Sequence, residues 1–169
     1  MTMTRLVAVS LAFLTLTTPM ALAQMEDGLA GDPERGKVVY RSVGYCGNCH
    51  GWPGDGLTGT MLQAPAAPSL RESTLDTETL FEIIKCGLPG TPMPYHGRTA
   101  YRDDSCYGMA LADFAPENKP RRGKTFSDAD ITNLVAYLET SVMGLGEPTF
   151  EECADFFDNP DARPCSRFK

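Results

Sequence analysis

The sequence is poor in histidine, tryptophan and basic residues. It contains two histidines and one tryptophan in 169 residues, and its 15 Lys and Arg face 22 Asp and Glu, for a formal net charge of -7. Because affinity for nucleic acid comes mainly from clustered Lys and Arg, this balance argues against a nucleic-acid-binding protein. The length predicts one domain with appendages, since a single core serves about 100 to 200 residues.

Long apolar runs are also scarce, and the longest lies at the N-terminus. Residues 6–16 are mostly apolar, Arg5 is the only charge in residues 1–23, and Ala21-Leu22-Ala23 is typical of a cleavage site. These features predict a cleaved signal peptide over residues 1–23 and a flexible leader over 24–30. The alternative, a membrane anchor, conflicts with a run shorter than the ~20 residues that span a bilayer. We therefore expect an exported protein without a membrane span, in a compartment where disulfides persist.

Two of the six cysteines lie in the sequence Cys46-Gly47-Asn48-Cys49-His50. This C-x-x-C-H pattern is the attachment signature of c-type haem, in which two thiols bond covalently to the haem and the histidine lies under the iron. One alternative is a thioredoxin-like redox pair, but no strand-helix alternation follows it. The other is a zinc site, which would need two further ligands.

The other four cysteines form an even set in an exported chain, which predicts two disulfides. Three pairings are possible. We favour Cys86–Cys106 and Cys153–Cys165, because each pair is close in sequence and brackets a segment poor in regular structure.

Three segments have helical patterns. Asp32 and Pro33 are typical of a helix start, and Gly36, Val39, Tyr40 and Val43 then form one face. A second helix is predicted from Asp76 to about Cys86, where Gly87 ends it. In the third, Ser127 is the cap, and the stripe Ile131, Leu134, Val135 and Leu138 should pack across the first helix at Gly36 and Tyr40.

A methionine between two prolines follows the second helix, in Gly-Leu-Pro-Gly-Thr-Pro-Met-Pro over residues 87–94. Each proline fixes its own φ and restricts the residue before it, so Met93 is held stiffly, as a thioether ligand of a metal requires. Met93 is our candidate for the second axial ligand, with His96 and Met109 as rivals. Met61 and Met143 fit core packing better.

These segments together resemble a class I mono-haem bacterial cytochrome c. The resemblance rests on G-D-P-E-R-G-K-V-V-Y, C-G-N-C-H-G, G-L-P-G-T-P-M-P and F-S-D-A-D-I-T-N-L-V-A-Y-L, which follow one another as in that family. It implies an all-α cytochrome c fold over residues 31–141, with three main helices and loops around one covalent haem c. It also implies thioether bonds at Cys46 and Cys49, and His50 and Met93 as iron ligands. The departures are segment 95–125, the four additional cysteines and an acidic, disulfide-closed extension over 142–169.

With both axial positions of the iron filled by protein, we expect periplasmic electron transfer and no catalysis. The acidic chain suits a redox partner with a basic docking face, such as a quinoprotein dehydrogenase, an oxidase or another cytochrome. The alternatives are a fixed subunit of a dehydrogenase or oxidase assembly, and a ligand sensor or peroxidase-type enzyme in which Met93 dissociates. Trp52 and Arg71 are weaker candidates for hydrogen bonds to a haem propionate.

Overall fold

A computed structural model describes residues 30–57 and 67–169, and every structural statement below concerns these two ranges. The predicted signal peptide, the leader up to residue 29 and Met61 lie outside them. The helices are α1 (Pro33–Val38), α2 (Gly47–His50), α3 (Thr77–Cys86), α4 (Asp128–Ser141) and α5 (Phe150–Phe157). A π-helical turn (Val39–Val43) continues α1, and short 3-10 helices lie at Leu111–Asp113, Pro116–Asn118 and Arg163–Phe168.

The three predicted helix starts are confirmed by their caps. The Asp32 side chain accepts a hydrogen bond from the Arg35 amide at 3.1 Å, and Asp76 accepts one from the Thr79 amide at 2.8 Å. Ser127 accepts one from the Asp130 amide at 3.2 Å. Each cap satisfies an amide that has no partner within its helix, which is why α1, α3 and α4 begin directly after these residues.

Helix α1 crosses α4 at the position that the sequence indicated. A Cβ built on Gly36 would overlap the Asn133 carbonyl oxygen and lie 2.6 Å from Cβ of Tyr137. Only glycine therefore permits this approach of the two helices. One turn further on, Tyr40 is 1% exposed and its ring centroid lies 5.6 Å from that of Tyr137.

Segment 95–125, one of the departures from the family that the sequence resembles, contributes to a small sheet. Strand β1 (Tyr95–Gly97) pairs in parallel with β2 (Arg122–Phe126), with Tyr95 opposite Arg122 and an irregular register before Gly97. The prediction of an all-α fold is therefore not confirmed, and the fold is mainly helical with one two-stranded sheet. A three-residue strand is too short to show the period-2 pattern by which strands are recognised in a sequence.

The buried residues form two clusters. The main core joins the π-helical turn after α1, helices α3 and α4, Trp52, Phe126 and the C-terminal extension. The second cluster contains Cys86, Tyr95, Ala100, Tyr101 and Cys106. The structure contains both disulfides that we favoured, Cys86–Cys106 in the second cluster and Cys153–Cys165 in the main core.

The C-terminal extension packs into the main core. Phe156 on α5 contacts Tyr40 and Trp52, with ring centroids 6.2 and 5.7 Å apart. Phe168 also packs edge-on against Trp52, with ring centroids 5.7 Å apart. Residues 142–169 therefore share the hydrophobic core of residues 31–141, and the division between the two at residue 142 stays a prediction.

Ion pairs hold the extension to α1 and its π-helical turn. Lys37, whose side chain is 10% exposed, lies 3.1 Å from Asp155 and 3.0 Å from Asp158. Arg41 donates to the second oxygen of Asp158 at 2.7 Å. No helix in the described ranges has the length and apolar character needed to cross a bilayer.

Candidate functional site

The C-x-x-C-H residues form α2 and the residue before it, Cys46, which is its N-cap and follows a sharp turn. The Gly44 amide donates to the Val39 carbonyl at 2.7 Å, and Tyr45 adopts a positive φ of 56°. Within α2 the His50 amide donates to the Cys46 carbonyl at 2.9 Å. Cys46, Cys49 and His50 are therefore at i, i+3 and i+4 of one helical turn, so both thiols and the imidazole share one face.

Both cysteines of α2 are free, whereas the other four are in disulfides. Cys46 is partly exposed as a residue, but its thiol is buried, and this burial raises the pKa of Cys46 to about 12. Redox-active pairs of this spacing have a lowered pKa instead. The described ranges also contain no group of three or more His, Cys, Asp or Glu side chains able to hold a metal, so the zinc alternative finds no support.

The His50 ring is buried and has one unused polar atom. Among the described residues, His50 Nδ1 and Trp52 Nε1 are the buried side-chain polar atoms without a hydrogen-bond partner. Burial lowers the pKa of His50, and the backbone of Pro68 acts in the opposite direction. The imidazole is therefore neutral at neutral pH, the form in which histidine binds a metal.

Two contacts fix the backbone around α2. The Tyr40 hydroxyl donates to the Gly51 carbonyl at 2.7 Å and joins α1 to the end of α2. The Gly56 amide donates to the His50 carbonyl at 2.8 Å, and a Cβ on Gly56 would overlap the Ala67 carbonyl oxygen. Because Gly56 lies so close to Ala67, the next residue, Pro68, lies with its backbone near the His50 imidazole.

Met93 lies half-buried on a loop that is closed at its base. Gly87 has a φ of +66°, and a Cβ there would lie 2.6 Å from the Tyr95 amide nitrogen. Inside the loop, the Leu88 amide donates to the Met93 carbonyl at 3.2 Å, and the Met93 amide donates to Oγ1 of Thr91 at 3.2 Å. Hydrogen bonds and prolines together therefore fix the backbone of Met93.

The rival ligand His96 is on β1, and its ring is already engaged. It stacks on Phe126 with centroids 4.5 Å apart and planes 8° apart, and its Nδ1 lies 2.8 Å from the Lys124 carbonyl oxygen. A Cβ on Gly44 would lie 2.9 Å from both Cys46 Sγ and Phe126 Cζ, so Phe126 lies close to Cys46. The sheet therefore connects the Met93 loop, two residues before β1, to the neighbourhood of α2.

The other rival, Met109, lies beside Cys106 of the second cluster. It forms an isolated antiparallel bridge with Cys106 and is half-buried. Its backbone is thereby tied to the Cys86–Cys106 disulfide and has no described contact with α2.

Arg71 is committed to the C-terminal extension. Its side chain is 4% exposed and pairs with Glu152 of α5 at 3.0 Å. Its guanidinium also donates to the Pro53 carbonyl at 3.2 Å and to the Gly146 carbonyl. These contacts favour a structural role over the propionate contact that we expected from the sequence, whereas the unpartnered Nε1 of Trp52 leaves that residue available for such a contact.

A cleft of about 560 Å³ opens beside α2, on the side of Gly47 and Asn48. Trp52, Phe156 and Phe157 contribute aromatic surface to it, and three arginines also line it: Arg41, Arg163 and Arg167. This side of α2 is therefore locally basic on an acidic chain. The sequence reasoning missed it because the arginines of α1 and of the extension lie more than a hundred residues apart.

Comparison with known proteins agrees with this geometry. Residues 31–111, from the start of α1 to the 3-10 helix at Leu111–Asp113, match the family model of cytochrome c oxidase, cbb3-type, subunit III. The match includes α2 and the Met93 loop and ends before α4. No curated protein and no solved structure matches the chain. This match supports a c-type cytochrome domain over residues 31–111, and a domain of that kind implies covalently bound haem c with its iron.

Proposed function

We propose that the protein transfers electrons in the periplasm through one haem c. Cys46 and Cys49 form the two thioether bonds, His50 is the proximal iron ligand and Met93 is the distal ligand. The observation that carries this proposal is the arrangement on α2: two free thiols and a buried, neutral imidazole share one helical face. They lie in the part of the chain that matches a cytochrome family.

Haem c supplies reversible one-electron chemistry at its iron. The chain's own residues determine how that chemistry is used. Tyr40 fixes the end of α2 through the Gly51 carbonyl, and the backbone of Pro68 approaches the His50 ring. A hydrogen bond to the second nitrogen of a ligating histidine orients the ring. If His50 and Met93 both bound the iron, the protein would leave no coordination position for a substrate, which favours a carrier over an enzyme.

Charge supports a protein partner for this carrier. The whole chain is acidic, and removal of a signal peptide containing Arg5 would make it one unit more negative. Such a chain is attracted over long range to a basic surface, for example that of a dehydrogenase, an oxidase or another cytochrome. Because arginines line the cleft beside α2, we place this contact away from that cleft.

The Met93→Ala variant tests the distal ligand. We expect it to keep its covalent haem, to lose the optical band of methionine-sulfur ligation and to bind added imidazole or cyanide readily. The potential should fall, since a thioether ligand raises it. Met109→Ala is the matched control and should leave all three properties unchanged. If Met93→Ala kept sulfur ligation and Met109→Ala lost it, the distal ligand would be Met109 and the proposal for Met93 would fail.

A second candidate function is that of a fixed subunit of an oxidoreductase assembly. The matching family is described as an oxidase subunit, and the extension adds surface that lies beyond the matched residues. Purification from the native periplasm at low and high salt separates the two candidates. A free carrier should lose its partners as salt screens the surface charges, whereas a subunit should keep them.

The third possibility, a ligand sensor or peroxidase-type enzyme, requires an open iron site in the resting protein. Optical and resonance Raman spectra distinguish it from the carrier. We expect a low-spin ferric spectrum with methionine ligation, and a high-spin spectrum would contradict the proposal.

A further inference from the structure

The second cluster holds the chain at the start of the Met93 loop. The Tyr101 hydroxyl donates to the Cys86 carbonyl at 2.6 Å in a buried hydrogen bond. The Tyr107 hydroxyl donates to the next carbonyl, that of Gly87, at 2.7 Å. The disulfide Cys86–Cys106 joins the same two segments covalently. Residues 101–107 therefore bind the carbonyls of Cys86 and Gly87 and the side chain of Cys86, at the start of the loop.

The same cluster also holds the end of the loop. Tyr95, the second residue after Met93, packs edge-on against Tyr101 with ring centroids 5.3 Å apart. Tyr101 also packs edge-on against Phe114, with ring centroids 5.4 Å apart. The Tyr101 ring thus contacts Tyr95, which follows the Met93 loop, and its hydroxyl binds the carbonyl of Cys86, which precedes the loop.

Backbone conformation supports a role in positioning. Tyr101 and Tyr107 have φ values of 60° and 58°, a region that bulky residues rarely adopt. Such conformations persist where the surroundings enforce them, and they are concentrated at functional sites. Burial raises the pKa of Tyr101 to about 12 and also raises the pKa of Tyr107, so both hydroxyls keep their donor protons at neutral pH.

We propose that Tyr101 and Tyr107 are positioning residues that keep the Met93 loop closed, and that segment 95–114 thereby sets how firmly Met93 stays on the iron. This inference rests on the proposed role of Met93 as distal ligand. The residues act through the carbonyls of Cys86 and Gly87 and contact neither the haem nor the iron. Part of segment 95–125, which departs from the family pattern in the sequence, would thereby keep the Met93 loop closed.

The test uses the haem-containing protein and the variants Tyr101→Phe, Tyr107→Phe and the double variant. Each change removes one hydroxyl and keeps the ring. We expect added imidazole to displace the distal ligand faster, by roughly fivefold for each hydroxyl, which corresponds to a net hydrogen-bond contribution of about 1 kcal/mol. The potential should shift downward in the double variant. Tyr137→Phe is the control, because it alters a buried tyrosine of the main core.

Amide hydrogen exchange gives a second readout that does not depend on the ligand assignment. Amides of residues 88–93 should exchange faster in Tyr101→Phe and Tyr107→Phe, while those of α4 stay as in the unaltered protein. The proposal is overturned if urea stability falls but imidazole binding and exchange in residues 88–93 do not change. Faster loop exchange with unchanged imidazole binding would also overturn it. If Met93→Ala keeps sulfur ligation, the ligand assignment fails separately from the loop closure.

Discussion

The approach of α1 to α4 at Gly36 allows a quantitative prediction. In Gly36→Ala the new Cβ would lie 2.7 Å from the Asn133 carbonyl carbon and would overlap its oxygen. Ordinary contact begins at 3.4 Å, so α1 must shift. Alanine gains about 1 kcal/mol over glycine in helix propensity. Overpacking costs about 1–3 kcal/mol, and the upper end applies because a backbone carbonyl cannot rotate away. We expect a net loss of about 2 kcal/mol.

Urea and thermal unfolding of the haem-containing protein, followed by circular dichroism, measure this loss. The midpoint temperature should fall by about 4–8 °C for a chain of this size. The control is Gly108→Ala, where nothing lies within 4 Å of the new Cβ but φ is +69°. Its cost should be only that of a left-handed backbone, about 1 kcal/mol. If Gly36→Ala is as stable as the unaltered protein, or loses no more than Gly108→Ala, the steric reasoning is refuted.

Two further predictions concern the contacts of the C-terminal extension. Glu152→Ala removes the partner of the buried Arg71 and the side chain that accepts from the Thr149 amide in the capping box of α5, so the free energy of unfolding should fall by about 3 kcal/mol or more in urea titrations. A loss below about 1 kcal/mol would show that the pair is not effectively buried. Hydrogen bonds from Lys37 and Arg41 lower the pKa of Asp158 below 3.8. Its contribution to stability is therefore present above pH 3.8 and lost as the pH falls through the lower folded value, and Asp158→Asn should flatten this dependence in urea titrations. Equal acid sensitivity of the variant and the unaltered protein would contradict this assignment.

Elements governed by local rules could be predicted from the sequence. The caps Asp32, Asp76 and Ser127 and the apolar spacing after them identify α1, α3 and α4, because capping and helical periodicity involve residues only a few positions apart. The disulfide pairing also followed from proximity along the chain. The α2 residues could be recognised because their chemistry requires a fixed spacing.

Features that depend on distant partners could not be predicted. β1 and β2 pair across more than twenty residues of the chain, and neither strand shows an alternating pattern. Arg71 meets Glu152 at a separation of 81 residues, so the sequence alone gave it no partner.

A signal for α5 was present in the sequence. Thr149 and Glu152 form a capping box, and Phe150, Cys153 and Phe157 follow at i, i+3 and i+7. The acidic residues between them led us to expect a polar extension. The helix instead uses those acids for Arg71, Lys37 and the cap, and it turns its aromatic face to Trp52.

The contacts of α1 also have a consequence for the order of folding. The Asp32 amide binds the Asn133 side chain across 101 residues, and Lys37 binds Asp158 across 121. Contacts between residues so far apart close large loops, and chains that depend on them fold more slowly than helical bundles with local contacts. Because the N-terminal part of the chain is synthesised first, α1 cannot form these contacts until more than a hundred further residues have been added. We therefore expect the proposed covalent attachment at Cys46 and Cys49 to precede the packing of α5 against Trp52.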